Sequence, residues 1–253
     1  MTTAIELRSV SLQMAGRQLL REVNLSLAQG ETGVVVGETG SGKSSLVRLV
    51  LAFPGAQRED LISIDGEVFV DGAGVFGLSR VQMQELRRKV GVVRGRGGLI
   101  ENMDVVRNIC LPLAYHGSRF GAEDIDRQCA ELMASLGIED LARTGRRPVT
   151  LTAAESAYVS LARALIIKPA VLLVDDPTLG LGEQASGLFI DQLFAAPVLT
   201  RLVVASRLGP YLNRGDRFFL LEAGKLLELG NKRDVIKSEH PWIKAELANS
   251  RWD

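Results

Sequence analysis

The chain has little cysteine and no net charge. Only Cys110 and Cys129 occur among its 253 residues, which argues against a disulfide framework and suits a reducing cytosol. Its 30 Lys and Arg residues balance 30 Asp and Glu residues, so no strong electrostatic field attracts nucleic acid. Local basic clusters such as residues 143–147 are expected to be solvated faces. We therefore predict no nucleic-acid partner.

Long hydrophobic runs are also missing. No apolar run approaches the roughly 20 residues that span a bilayer, and the N-terminus carries Glu6 and lacks the apolar core of a signal peptide. Any role at a membrane must therefore come through a partner. With 46% apolar residues, the length predicts one domain, or one domain with a subdomain, around a packed core.

One complete motif stands at residues 37–44, which follow the pattern of a glycine, four residues and then Gly-Lys-Ser. An apolar strand precedes this phosphate loop and a helix follows it. The glycines let backbone N–H groups surround phosphates, the Lys43 ammonium reaches the outer phosphates, and the Ser44 hydroxyl can ligate Mg²⁺. The dipole of the following helix adds positive charge at the same place. The alternative interpretation is a glycine-rich turn that matches the motif by chance. The predicted nucleotide-binding residues are Gly37, Glu38, Thr39, Gly40, Ser41, Gly42, Lys43, Ser44 and Ser45.

Apolar runs and turn signals predict a mixed α/β protein. Residues from Asp104 to about Ala164 show helical spacing, and the simplest architecture is a sheet core with a helical subdomain inserted between strands. Strands are predicted at residues 5–10, 23–27, 32–36, 62–70, 90–93, 171–174, 202–204 and 218–221, with helices at 45–51 and 81–89.

Two adjacent acids follow the apolar run 171–174. A buried strand that ends in carboxylates delivers them to the carboxyl edge of the sheet, where phosphate-loop proteins bind their ligand. We expect Asp175 to hold Mg²⁺ through water and Asp176 to lie where an attacking water is activated. The alternative is a helix cap in a solvated turn.

The order and spacing of these motifs resemble the ATP-binding subunits of ABC transporters over almost the whole chain. The resemblance implies an α/β fold: a P-loop NTPase (RecA-like) core with an antiparallel β subdomain and an inserted α-helical subdomain. It also implies one domain over 1–253, with its core at about 1–94 and 165–230, the helical subdomain at about 95–164 and a C-terminal helical tail at about 231–253. The segments that carry it are 30–31, 71–72, 160–165 and 175–178.

A finer resemblance concerns the segment that faces a membrane subunit in this family. Residues 91–113, with Leu99, Met103 and Asn108, and the tail 241–243 look most like the Mla-type lipid transporters. These features imply a permease contact and carry no chemistry, so transport of a lipid follows from the resemblance alone.

The family's signature sequence, Leu-Ser-Gly-Gly-Gln, is altered in this chain. It falls on Leu151, Thr152, Ala153, Ala154 and Glu155. Thr152 keeps a hydroxyl, but both glycines are replaced, and Glu155 would bring a negative charge near the γ-phosphate. If the glycines adopt backbone angles closed to alanine, we expect a cost of about 1 kcal/mol or more.

Other family positions that carry chemistry are changed as well. The catalytic glutamate falls on Asp176, and a base displaced by about 1 Å loses on the order of a hundredfold in rate. The glutamine that senses the γ-phosphate falls on Gly95, and the switch histidine falls on Ser206. An expected aspartate is Gly182, and the residue in the place of the adenine-stacking aromatic is Met14.

Two explanations compete for this pattern. Selection for hydrolysis is lost while nucleotide binding persists, or other groups such as Arg94 and Arg96 supply charge near the phosphates. The favoured alternative for these two arginines is a mobile basic loop that faces solvent. In this family two subunits sandwich ATP head to tail, so either a homodimer or a heterodimer with a second ATP-binding subunit would contain altered sites. We therefore predict slow or impaired hydrolysis.

Three functions remain in view. The first is a slow ATPase of a transporter with Asp176 as its base, and the second is a non-hydrolysing regulatory ATP-binding subunit. The third is a soluble module of the same fold outside transport, and a small-molecule P-loop kinase is a weaker alternative. The resemblance implies ATP and Mg²⁺ as ligands, a transmembrane permease as partner, and a cytoplasmic, peripheral position on the inner face of the cell membrane.

Overall fold

The structure is a computed structural model that describes residues 2–52, 62–95, 98–116, 121–143, 145–198 and 200–249. The chain divides into two compact units. The first unit comprises Met1–Met83 and Leu199–Asp253, and the second comprises Gln84–Val198.

Strands and helices alternate along most of the chain. The strands are β1 (Thr3–Met14), β2 (Arg17–Ala28), β3 (Thr32–Val36), β4 (Ile62–Val70), β5 (Ala73–Gly74), β6 (Val90–Arg94), β7 (Val171–Asp175), β8 (Thr200–Ala205), β9 (Arg217–Glu222) and β10 (Lys225–Gly230). The helices are α1 (Lys43–Val50), α2 (Arg80–Arg88), α3 (Val105–His116), α4 (Ala122–Ser135), α5 (Asp140–Arg143), α6 (Ala153–Leu165), α7 (Glu183–Ala195), α8 (Lys232–Ile236) and α9 (Pro241–Asn249).

Every strand and helix predicted from the sequence is present, with shifts at the ends. β3 and β4 have the predicted bounds, whereas β1 and β2 continue beyond their apolar runs to meet at a tight turn. The sequence reasoning missed the two-residue strand β5, the largely exposed strand β10 and the helix α7, which buries one face. In β10 the apolar residues Leu226 and Leu227 are adjacent and do not alternate, and in α7 the exposed Leu188 lies off the buried face, so neither segment shows a clear hydrophobic period.

The first unit contains an antiparallel sheet in the order β2–β1–β4–β5. Apolar side chains of β1 alternate toward a buried face, and Ile5, Val10 and Leu12 are fully buried. The β1–β2 register shifts near Ser9 and Glu22, both of which have positive φ angles. Such bulges increase the local twist of a sheet while its apolar face stays buried.

The first unit also contains a mixed set of strands in the order β10–β9–β3–β8. β3 runs parallel to both β8 and β9, and β10 is antiparallel to β9. All five residues of β3 are buried, as expected for a strand covered on both faces. The carboxyl end of this central strand leads directly into residues 37–44.

In the second unit, β6 and β7 pair in parallel, and helices α3, α4 and α6 share a hydrophobic core. Cys110 and Cys129 are buried in this core as free thiols. Asn108 is fully buried. Its side-chain amide accepts a hydrogen bond from the Ile100 N–H and donates one to the Ile100 carbonyl oxygen. These hydrogen bonds fasten the segment before α3 to the helix.

Among the residues that the structure describes, none of the helices is long and apolar enough to cross a bilayer.

Candidate functional site

Residues 37–44 comprise the tight connection from β3 to α1 and the first two residues of α1. Gly42 is the N-cap of α1 with φ 109°, a conformation that favours glycine. A Cβ on Gly42 would lie 2.9 Å from the Leu19 carbonyl oxygen, and one on Gly37 would lie 2.3 Å from the Leu221 carbonyl oxygen. The spacing of glycines in the motif therefore has a steric reason at both ends of the loop.

Lys43 closes the loop from inside. Its side chain is 4% exposed, and its Nζ donates hydrogen bonds of 2.8 Å to the carbonyl oxygens of both Gly37 and Glu38. An ammonium group has three donors, and here two of them fix its position across the loop. The charge is thus held at the amino end of α1, where the helix dipole also favours anions.

The loop fits a phosphate group. Ser41 Oγ is buried and has no hydrogen-bond partner among the described residues, and an unsatisfied buried hydroxyl favours a ligand that can pair with it. Together with the Lys43 ammonium, this hydroxyl supplies the polar contacts that phosphate oxygens require. Ser44, the expected Mg²⁺ ligand, is the second residue of α1, and Ser45 follows it.

The sequence reasoning missed one residue beside this loop. Trp242, at the start of α9, lines a pocket of about 220 Å³ together with Glu38–Ser41 and Leu220–Ala223. α9 is anchored by the Glu246 carboxylate, which accepts a hydrogen bond from the Leu208 N–H at 2.9 Å. The tail 241–243 was singled out only as a resemblance, and nothing in its spacing connects it with the phosphate loop.

Two further predicted residues belong to the first unit. Ser206 directly follows β8, and Ala205 pairs in register with Val36 at the end of β3. Ser206 and Gly37 therefore begin their loops at the same edge of the strands. Met14, the predicted adenine contact, is the half-buried last residue of β1 and pairs with Arg17 across the turn.

Asp175, Asp176 and Gly95 lie together in the second unit. Gly95 is the residue on which the family's γ-phosphate-sensing glutamine falls. Asp175 is the last residue of β7, and its carbonyl oxygen accepts a hydrogen bond of 3.1 Å from the Gly95 N–H. A Cβ on Gly95 would lie only 1.9 Å from the Asp176 carbonyl oxygen. Asp176 itself has φ 42°, which is uncommon for a residue with a side chain. Gly95 and both acids therefore form one close-packed group.

The predicted signature segment begins helix α6. Thr152 is the N-cap, its Oγ1 accepts a hydrogen bond from the Glu155 N–H, and the Glu155 carboxylate accepts one from the Thr152 N–H at 2.7 Å. This reciprocal capping box satisfies two backbone donors. Ala153 and Ala154 lie within the helix and are not among the residues with positive φ. The strain considered for alanine at these positions therefore does not arise, because a helical backbone suits alanine well.

Glu155 has a second partner that the sequence did not predict. Arg146 donates from Nη1 to Oε1 at 2.5 Å and from Nη2 to Oε2 at 3.0 Å. The hydrogen bond from Arg146, followed by the bonds from Thr152, lowers the pKa of the Glu155 carboxyl against the opposing effect of burial. Arg146 was expected on a solvated face, but its side chain is only 29% exposed in this pair. The Glu155 charge is thus largely compensated within the chain.

The predicted residues therefore lie in two groups. The phosphate loop, Ser206 and Met14 belong to the first unit, whereas Gly95, the two acids and the signature belong to the second. Gly182, in the place of an expected aspartate, is the N-cap of α7. Among the described residues, no cluster of three or more His, Cys, Asp or Glu could hold a metal ion by itself.

Comparison with known proteins identifies the class. The profile of the ABC transporter family matches residues 20–179. The methionine import ATP-binding protein MetN of Burkholderia thailandensis is 30% identical over 96% of this chain and 70% of its own length. The glutamine transport ATP-binding protein GlnQ of Escherichia coli K12 is 29% identical over 92% of this chain and 94% of its own length.

Solved structures support the same fold. The ATP-binding cassette MJ0796, in a dimeric post-hydrolysis state with ADP and Pi, superposes with a TM-score of 0.77 at 24% identity, covering 89% of this chain and 98% of the other. The architecture is the α/β P-loop NTPase fold of ABC cassettes, with antiparallel and mixed sheets. The chain belongs to the ABC transporter family, as an ATP-binding subunit.

Proposed function

We propose that this subunit binds ATP with Mg²⁺ at the phosphate loop and hydrolyses it slowly or not at all. In this proposal Lys43 and the loop backbone hold the β- and γ-phosphates, and Ser44 and Asp175 hold Mg²⁺, the latter through water. Met14 takes the place of the aromatic residue against adenine. The buried ammonium of Lys43, bonded to two loop carbonyls, supports nucleotide binding.

The observation that carries the proposal of impaired hydrolysis is the packing at Gly95. A side chain there would start 1.9 Å from the Asp176 carbonyl oxygen, far inside van der Waals contact. A glutamine that senses the γ-phosphate therefore has no room at this position without movement of the Asp176 backbone. Asp176 acts as a base that is short by one methylene group, and Ser206 offers no imidazole for general acid–base chemistry.

The signature contributes to the proposal in a different way. The amino end of α6 keeps its dipole and the Thr152 hydroxyl, so it remains able to face a phosphate. However, the Thr152 hydroxyl already accepts a hydrogen bond from the Glu155 N–H, and the Glu155 carboxylate already accepts one from the Thr152 N–H. A phosphate arriving from a partner subunit would compete with this capping box, and this competition is consistent with slow turnover.

The proposed setting is a membrane transporter of the importer or lipid-transport type. The subunit would lie on the cytoplasmic face of the cell membrane, attached to a transmembrane permease and paired with a copy of itself or with a second ATP-binding subunit. The names of MetN and GlnQ, which specify import of methionine and transport of glutamine, support import. Lipid transport is supported only by the segment 91–113 and the tail 241–243.

Two alternatives share the same site. A purely regulatory subunit would close on ATP without turnover, and the close packing at Gly95 favours it over a fast ATPase. A soluble module of the same fold would have no permease, and it is disfavoured by transporter subunits that match most of this chain.

The experiment that tests the proposal is purification of the native complex from membranes in mild detergent, with mass spectrometry of its components and measurement of ATP turnover. A permease together with turnover well below 1 s⁻¹, the low end of typical enzyme rates, is the expected result. A second ATP-binding chain in the complex would indicate a heterodimer. Recovery in the soluble fraction without a permease would refute the transporter role, and fast turnover would refute impaired hydrolysis.

A further inference from the structure

Two arginine side chains in the second unit lie next to each other. Arg94 is the last residue of β6 and Arg163 belongs to α6. Both flank Gly98, because a Cβ on Gly98 would lie 3.3 Å from Arg94 Cδ and 3.5 Å from Arg163 Nη2. The two side chains therefore meet around one glycine. Arg96, which was also considered as a source of charge, lies outside the described residues.

The backbone around the pair is well fixed. The Arg94 N–H donates to Ser160 Oγ at 3.0 Å, and Ser160 is 1% exposed. Arg163 Nη1 donates to the Gly98 carbonyl oxygen. The two arginines are thus anchored by separate hydrogen bonds to α6 and to the segment after β6. The backbone of Arg94 and the guanidinium of Arg163 are therefore each fixed by a hydrogen bond.

Neither guanidinium has a carboxylate partner in the part of the chain that the structure describes. Arg94 Nε is also buried without a hydrogen-bond partner there. Burial, and then the charge of Arg94, lower the pKa of the Arg163 guanidinium. Like charges held close together repel, and buried charges in proteins are normally paired. A bound anion would remove both unfavourable effects.

The position of the pair indicates which anion. Arg94 pairs in register with Asp175 at the carboxyl end of β6 and β7. In open α/β sheets, ligands bind outside the carboxyl ends of the strands. The planar guanidinium fork matches the oxygens of phosphate and binds them with two parallel hydrogen bonds.

We propose that Arg94 and Arg163 form an anion site that binds a phosphate group, supplied either by the terminal phosphate of a nucleotide or by inorganic phosphate. The first source rests on the proposed function, whereas the second does not. Either way, the two arginines provide charge that Gly95 and Ser206 do not. This site depends neither on a side chain at Gly95 nor on Ser206.

The test uses the full chain and isothermal titration calorimetry. Inorganic phosphate is titrated into the protein alone and into the protein saturated with ADP, so that the phosphate loop is filled in the second case. The β,γ-imido analogue of ATP and ADP are titrated separately. The variant Arg94→Met removes the charge but keeps most of the side-chain length, and Arg94→Lys keeps the charge. Arg107→Met is the matched control, because Arg107 is 76% exposed elsewhere in the same unit.

We expect Arg94→Met to weaken phosphate binding about tenfold or more, as for loss of a charge-assisted hydrogen-bonded pair. Arg94→Lys should recover part of the affinity and Arg107→Met should bind like the wild type. If the imido analogue is weakened as well while ADP is unaffected, the terminal phosphate is the ligand. If only inorganic phosphate is weakened, free phosphate is the ligand.

The inference is overturned if Arg94→Met and the wild type bind phosphate and the imido analogue equally well, or if the wild type binds no phosphate and the variant binds the analogue normally. Thermal melting in phosphate-free buffer is the second readout, because removal of a like charge should leave the melting temperature unchanged or raise it. A lower melting temperature with unchanged phosphate binding also contradicts the inference. Failure of the wild type to bind ADP would instead refute the proposed nucleotide function. The change in affinity for inorganic phosphate caused by Arg94→Met is measured in the protein alone and does not depend on ADP binding.

Discussion

The carbonyl oxygen of Asp176 lies 1.9 Å from the place where a side chain on Gly95 would begin. A hydrogen bond of 3.1 Å from the Gly95 N–H to the Asp175 carbonyl oxygen holds the same two segments together. Gly95 and Asp176, at which the sequence resemblance implies a departure from the family pattern, are therefore physically coupled. A change at one of them cannot be accommodated unless the other moves.

Gly95→Ala tests this coupling directly. Because the new methyl group would overlap the Asp176 carbonyl oxygen, we expect a loss of about 1–3 kcal/mol in the free energy of unfolding, measured by urea denaturation. The matched control is Gly187→Ala, since Gly187 is exposed within α7 and has open space around it. That change should stabilise the protein by about 0.5–1 kcal/mol. Equal effects of the two changes would contradict the close packing.

Asp176→Glu tests whether hydrolysis fails collectively. We expect the single variant to remain well below about 1 s⁻¹, because Gly95 and Ser206 still lack the expected side chains. Phosphate release during steady-state turnover is the measurement. Asp191→Glu, an equivalent change at an exposed position of α7, serves as the control. A rise to an ordinary ATPase rate in Asp176→Glu would show that one methylene group alone limits this subunit.

Lys43→Ala tests the phosphate loop. A ligand at 100 times its Kd stabilises the native state by about 2.7 kcal/mol, so ATP with Mg²⁺ should raise the melting temperature of the wild type by roughly 5–10 °C. The variant should lose most of that shift, because the ammonium between the Gly37 and Glu38 carbonyl oxygens is gone. Lys225→Ala, at an exposed position of β10, should keep the shift. If Lys43→Ala and the wild type respond alike, the nucleotide binds elsewhere.

Glu155→Gln tests the ion pair at the start of α6. The hydrogen bond from Arg146 lowers the pKa of Glu155 in the folded protein, so its stabilising effect is present above the ordinary glutamate pKa of about 4.3 and is lost as the pH falls through the lower folded value. At pH 7 we expect the variant to be less stable by about 0.5–1 kcal/mol. The difference should shrink as the pH falls, as measured by urea midpoints at pH 7 and at about pH 3.

The control for this measurement is Glu131→Gln, which removes the same charge at an exposed position of α4. Its stability should differ little from the wild type at either pH. A difference at Glu155 that persists unchanged in acid would mean that the charge of this carboxylate is not what stabilises the helix.

The sequence alone was sufficient where structure depends on neighbouring residues. The apolar run 32–36 followed by the phosphate loop predicted β3, the loop and α1 in their observed order. Local motifs of this kind are encoded in a few consecutive residues, because glycine geometry and helix capping act over one turn. The strand ending at Asp175 was predictable for the same reason.

Only the tertiary structure decided the contacts between distant residues. Sequence reasoning placed Gly95 and Asp176 on separate motifs, but the parallel register of β6 and β7 brings them into contact. It treated Arg146 as solvated, whereas the fold pairs it with Glu155. The pairing of strands depends on burial summed over a whole sheet. Composition and motif spacing therefore determined the class of protein, while packing between distant segments determined how much room a side chain has at Gly95.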